Sequence, residues 1–136
     1  MTSRVAATAI AALLLTGCGL DVQSPDLFQV TRSGAHGKPL TLLVNDAGTI
    51  SCDGGKPKSL PDPLLLQARD LATSLNSDVK AKLRFRSSAR SVFTYAVKVQ
   101  NGTMSFPDTA ANARKELAQL ELFVVEAAAT PCGLAS

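Results

Sequence analysis

The chain carries one histidine, three cysteines and eleven Asp or Glu residues, and their spacing decides which chemistry is open to it. His36 alone cannot assemble a metal centre, which needs several converging nitrogen, sulfur or carboxylate ligands. It sits in Ser33-Gly34-Ala35-His36-Gly37-Lys38, a loop closed by Pro39, where His36 and Lys38 are candidate contact residues. A Ser-His-Asp relay is open by count, but no Gly-x-Ser-x-Gly elbow presents a serine on a strand-to-helix turn. Cys52 has no Cys-x-x-Cys partner for redox work. The acids at 46, 53, 62, 70, 78 and 108 lack the spacing of a calcium loop. Asp46 and Asp53 flank one hairpin, where an aspartate commonly opens a turn by bonding its own backbone. Gly54-Gly55-Lys56 has part of a phosphate-loop composition, yet it follows a hairpin and stands six residues before the next helix. No catalytic residue, cofactor or metal site is assigned, and a non-enzymatic protein is expected.

The strongest chemical signal is Cys18. Arg4 precedes Val5–Leu15, a stretch without a single charge. That stretch is too short to span a bilayer as a helix, which takes about 20 residues. A cationic start, an apolar middle and a small-residue end form the pattern of an export signal, here residues 1–17. Leu15-Thr16-Gly17-Cys18 resembles the bacterial lipobox. The resemblance implies cleavage between Gly17 and Cys18 and a diacylglyceryl group on the Cys18 thiol. It implies a small lipoprotein of the actinobacterial kind, lipid-anchored on the extracytoplasmic face of the cell membrane. Residues 18–26 then form the tether, which at about 3.3–3.6 Å per residue reaches no more than about 30 Å.

Export bears on the other two cysteines. Cys52 and Cys132 are an even pair bound for an oxidising compartment, and a disulfide between them is expected. The alternative is two separate buried thiols. The formal net charge of +3 falls to +2 when Arg4 leaves with the leader, which gives no nucleic-acid footprint. One local concentration stands out: Lys80, Lys82, Arg84, Arg86 and Arg90. It is either a solvated connector or an attraction to anionic lipid or wall polymer.

Residues 27–136 are expected to form one domain. Phe28 and Val30 alternate along a strand over 27–32. Strands over 40–45 and 49–53 are joined by Asp46-Ala47-Gly48, which pairs Val44 with Ile50 and Leu42 with Cys52. Residues 54–58 read as a loop. A helix is expected from Asp62 as N-cap, with Pro63 at its first position, to about Asn76; Leu64, Ala68, Leu71 and Leu75 form its stripe. Ser77-Asp78 could cap a second short helix. Phe93, Tyr95, Val97 and Val99 lead to Asn101-Gly102, a type I′ turn pair that sets Val99 opposite Met104. A long helix, capped by Asp108 or Thr109, then runs to about Ala128, its stripe being Ala113, Leu117, Leu120, Val124 and Ala127. The order β-ββ-α-ββ-α predicts an α+β fold: an antiparallel sheet of about five strands with two helices on one face.

A second resemblance is carried by Phe28-Gln-Val-Thr-Arg-Ser-Gly34, Val44-Asn-Asp-Ala-Gly-Thr-Ile50, Leu60-Pro-Asp-Pro-Leu-Leu-Leu66, Phe93-Thr-Tyr-Ala-Val97 and the closing helix. In this order the domain is similar to emfourin-like protein inhibitors of metalloproteases. The resemblance covers residues 27–126 and implies a protein partner, a protease; it assigns no inhibitory residues. The expected function is a membrane-anchored binding or envelope-structural module, with protease inhibition as the alternative.

Overall fold

The structure, a computed structural model, describes residues 25–134. The leader at 1–17, the cleavage pair Gly17-Cys18 and the expected lipidation site lie outside the described residues. In chain order the elements are β1 (Asp26–Gly34), β2 (Leu40–Asn45), β3 (Thr49–Cys52), β4 (Lys58–Ser59), α1 (Asp62–Lys80), β5 (Phe93–Val99), β6 (Gly102–Pro107), a 3₁₀ helix (Asp108–Asn112) and α2 (Lys115–Ala129). The six strands form one open antiparallel sheet in the order β4-β3-β2-β1-β5-β6. The fold is α+β. Two-residue β4, in a segment expected to be loop, is the sixth strand.

The period-2 alternation does what it must in a sheet with one covered face. Phe28 and Val30, Leu42 and Val44, Ile50, Val97 and Val99, Met104 and Phe106 all point to one side and are buried. Leu71 and Leu75 of α1 and Leu117, Leu120 and Phe123 of α2 close over them in the same cluster. Phe28 and Phe123 meet edge to face, their ring centres 5.5 Å apart. Among the described residues the core draws on both helices and five of the strands, and the Cys52–Cys132 disulfide links the end of β3 to the segment after α2.

The β2–β3 hairpin has the expected register, with Gly48 at φ +85°. Elsewhere tertiary contacts shifted the local pattern. Asp26 already belongs to β1, so the tether stops short of it. α1 starts one residue earlier than expected: Pro61 is the N-cap and Asp62 the first helical residue. The helix also runs a full turn past Asn76. Its stop is a Schellman turn, with Lys82 N–H on the Val79 carbonyl and Leu83 N–H on that of Asp78. The left-handed position is held by Lys82, at φ +54°, where glycine is usual. Ser77 and Asp78 therefore cap nothing.

At the second hairpin the loop is Gln100-Asn101, and Val99 pairs with Gly102 instead of Met104. The Asn101 N–H donates to Asn76 Oδ1 of α1 at 3.0 Å, and Gly102 lies against Val79, so helix contacts set the turn. The slip is two residues, an even number, and every side chain stays on its expected face. The long closing helix is two pieces. Asp108 starts the 3₁₀ helix and Ala113, at its exposed C-cap, leaves the expected stripe.

Candidate functional site

The expected contact loop turns tightly. Gly34 has φ +115°, and Ala35 and His36 follow at φ +54° and +59°. Two successive non-glycine residues in the left-handed region are costly backbone, of the kind that clusters at binding sites. His36 is exposed on this loop and Lys38 lines a cleft behind it. Asp46 does not open its turn: Asn45 Oδ1 accepts the Ala47 N–H, while Asp46 pairs with Arg69 Nε at 2.7 Å. Cys52 and Cys132 are bridged, their Cα atoms 5.9 Å apart and 80 residues apart in sequence.

The cleft is formed where the outer flank of α2 crosses the Gly34 end of the sheet. Two neighbouring depressions, of about 430 and 260 Å³, share Arg32 and Val125 in their linings. Arg32 follows Phe28 and Val30 on the inward side of β1, so the chain places a cation at the rim of the core. Its guanidinium lies over the Phe93 ring, 4.9 Å from the centre, and joins no ion pair among the described residues. Beside it is the Tyr95 hydroxyl, whose pKa burial and the nearby Glu121 carboxylate raise.

Glu121 enters the larger depression from α2. Its Oε1 is buried without a hydrogen-bond partner. Burial, and then the charge of Asp108, push its pKa up to about 7. Asp108 has the opposite character. Burial alone would raise it, but Ser91 Oγ–H at 2.7 Å and the N–H groups of Val92 and Phe93 at 3.0 and 3.1 Å hold it below the usual carboxylate range. Both its oxygens are engaged in fixing the entry to β5. The walls are apolar and open: Leu122 is 59% exposed, Val125 46% and Leu134 38%. The cleft thus combines a cation with no ion-pair partner among the described residues, an acid poised near neutrality and a bare aliphatic surface.

A second buried cluster joins the helices. Arg114 bonds Asp78 Oδ1 at 2.6 Å and Glu116 Oε1 at 2.7 Å. Asp78 is 5% exposed with Oδ2 unpartnered, and burial, then the adjoining Glu116, raise its pKa. The cluster ties α1 to the start of α2.

Sequence reasoning located Lys38 but missed Arg32 and Glu121. Both had the same signal: a charge at a position the alternation or the helical stripe assigns to the core side. Among the described residues no three His, Cys, Asp or Glu side chains gather to hold a metal, and no helix is long and apolar enough to cross a membrane. No family model matches the chain, and neither the curated proteins nor the solved structures contain a match to it.

Proposed function

We propose that this protein is a membrane-anchored extracytoplasmic lipoprotein whose folded domain is a non-enzymatic binding module. The observation that carries the binding role is the α2 cleft, where Arg32 and the empty Glu121 Oε1 face a surface bearing exposed Leu122 and Val125. Leaving the Glu121 oxygen buried without a partner and the Arg32 cation without an anion is costly, as is wetting the leucine and valine. An amphiphile with an anionic head satisfies all of them. Its head accepts from Arg32 and from protonated Glu121, and its apolar body covers the α2 flank. The anchor is supported by the leader pattern and by the Cys52–Cys132 bridge, a bond that persists in oxidising compartments. Pro25 lies at the opposite end of β1 from Arg32, so a tether attached there leaves the cleft mouth free.

The test is calorimetric titration of residues 19–136 with dodecanoate and with dodecyl phosphate at pH 6. Saturable binding that Arg32→Gln weakens at least tenfold is expected. No saturable heat with either probe would remove the cleft from the account. A second reading, a protease inhibitor of the emfourin-like kind, is favoured by the strained Gly34–Lys38 loop, which projects His36 into solvent. Slowing of an extracellular metalloprotease by the domain, abolished when the loop is replaced by Gly-Gly-Gly, is the outcome that reading requires.

A further inference from the structure

Between Asp78 and Asp108 the chain has no acidic residue, yet Lys80, Lys82, Arg84, Arg86, Arg90 and Lys98 all fall there. The first five belong to the end of α1 and the irregular segment that leads to β5, and all five are exposed. None joins an ion pair among the described residues. The nearest acids are occupied elsewhere: Asp78 and Glu116 by Arg114, Asp108 by Ser91 and the β5 backbone.

The segment has a defined course. The Schellman turn fixes its departure from α1 at Lys82. Phe85 then packs against Phe106, ring centres 6.2 Å apart, which pins the strap beside β6, the outermost strand. Between strap and strand a cleft of about 450 Å³ is lined by Lys82, Arg84, Phe85, Thr103 and Ser105. Two cations and two hydroxyls around one opening are donors suited to a phosphodiester.

Pro25, the first of the described residues, lies toward the same end. Pro25 shares a depression with Asn76 and Gln100, and Asn76 is one turn before Lys80. Any tether entering at Pro25 therefore emerges beside the first cations of the strap. At about 3.3–3.6 Å per residue, the seven residues from 18 to 24 hold this end within about 25 Å of a lipid on Cys18.

We propose that the β6 edge and its basic strap are a docking surface for an anionic lipid bilayer, which the strap grips through phosphate headgroups. The placement beside the tether rests on the anchored reading; the charge on the strap does not. Docking by this edge stands the sheet edge-on to the membrane.

Residues 19–136, without lipid, are mixed with vesicles of phosphatidylglycerol and phosphatidylcholine (1:1) or phosphatidylcholine alone, at 0.1 M salt. Binding to the anionic vesicles only, released at 0.5 M salt, is expected. Each cation near such a surface contributes about a fivefold gain, so Lys82→Gln with Arg84→Gln lowers partitioning by about 25-fold. Lys56→Gln with Lys58→Gln, at the opposite edge, keeps it within about threefold. Thermal melts identical to the parent's show that all variants fold. Equal binding to both vesicle types, or equal losses in the two double variants, would overturn the proposal. Because the protein used has no acyl chain, failure here leaves the anchor itself untouched, and failure of the anchor leaves this result standing.

Discussion

Replacing Glu121 by Gln probes the cleft acid without changing its shape. In the folded chain this carboxyl holds its proton up to about pH 7, against an ordinary 4.5. Its folded pKa is raised, so the folded state binds more protons than the unfolded chain between those two values. Stability therefore falls as pH rises from 4.5 to 7 and is level above, where both states are ionised. The full difference corresponds to about 3 kcal/mol, and solvent reaching the cleft reduces it to about 1–2 kcal/mol. Gln does not titrate. The variant should melt with the parent at pH 4.5 and about 4–8 °C above it at pH 8, for a domain of this size. Calorimetric melts of residues 19–136 at half-unit pH intervals read this directly. A variant that gains equally at both pH values, or gains nothing at pH 8, would show that Glu121 ionises normally and that its buried oxygen is hydrated.

Cys52→Ser opens the loop between residues 52 and 132 and should lower stability by about 3–5 kcal/mol, with reductant shifting the melt of the parent but not of the variant. Lys82→Gly should raise stability by about 1 kcal/mol, because glycine accepts the left-handed turn that ends α1 without steric cost; denaturant midpoints measure it. Arg114→Ala strips the buried Asp78 of the one cation it pairs with among the described residues. The loss should be large at pH 8 and smaller at pH 4, where Asp78, its pKa raised chiefly by burial, takes up a proton.

The fold was legible wherever one periodicity governed a whole element. Phe93 to Val99 and Leu40 to Asn45 alternate cleanly, and both sit in the sheet on the expected face. What escaped was decided by partners distant in sequence. Nothing near Asn101 announces that Asn76 will hold its N–H, move the loop by one residue and slip the pairing by two. Nothing in Lys82 announces a helix stop, since the usual glycine is missing from that position. The closing helix breaks between Asn112 and Lys115 without proline or glycine to mark the place.

The candidate site was less legible than the fold because its members are scattered. Arg32 and Glu121 reach one cleft only after β1 has paired with β5 and α2 has packed against the sheet. Still, both they and Asp78 share a local signature. Arg32 continues the inward alternation of Phe28 and Val30; Glu121 lies one turn after Leu117; Asp78 lies three residues after Leu75. A charge on an apolar-face position needs a partner, a rim or a ligand, and here each case is one of those.

Mass spectrometry of the N-terminus of protein recovered from its native membrane tests the account most directly. It predicts a chain beginning at residue 18, its cysteine carrying a thioether-linked diacylglyceryl group. A chain that still begins at Met1, or a bare Cys18 thiol, would contradict it.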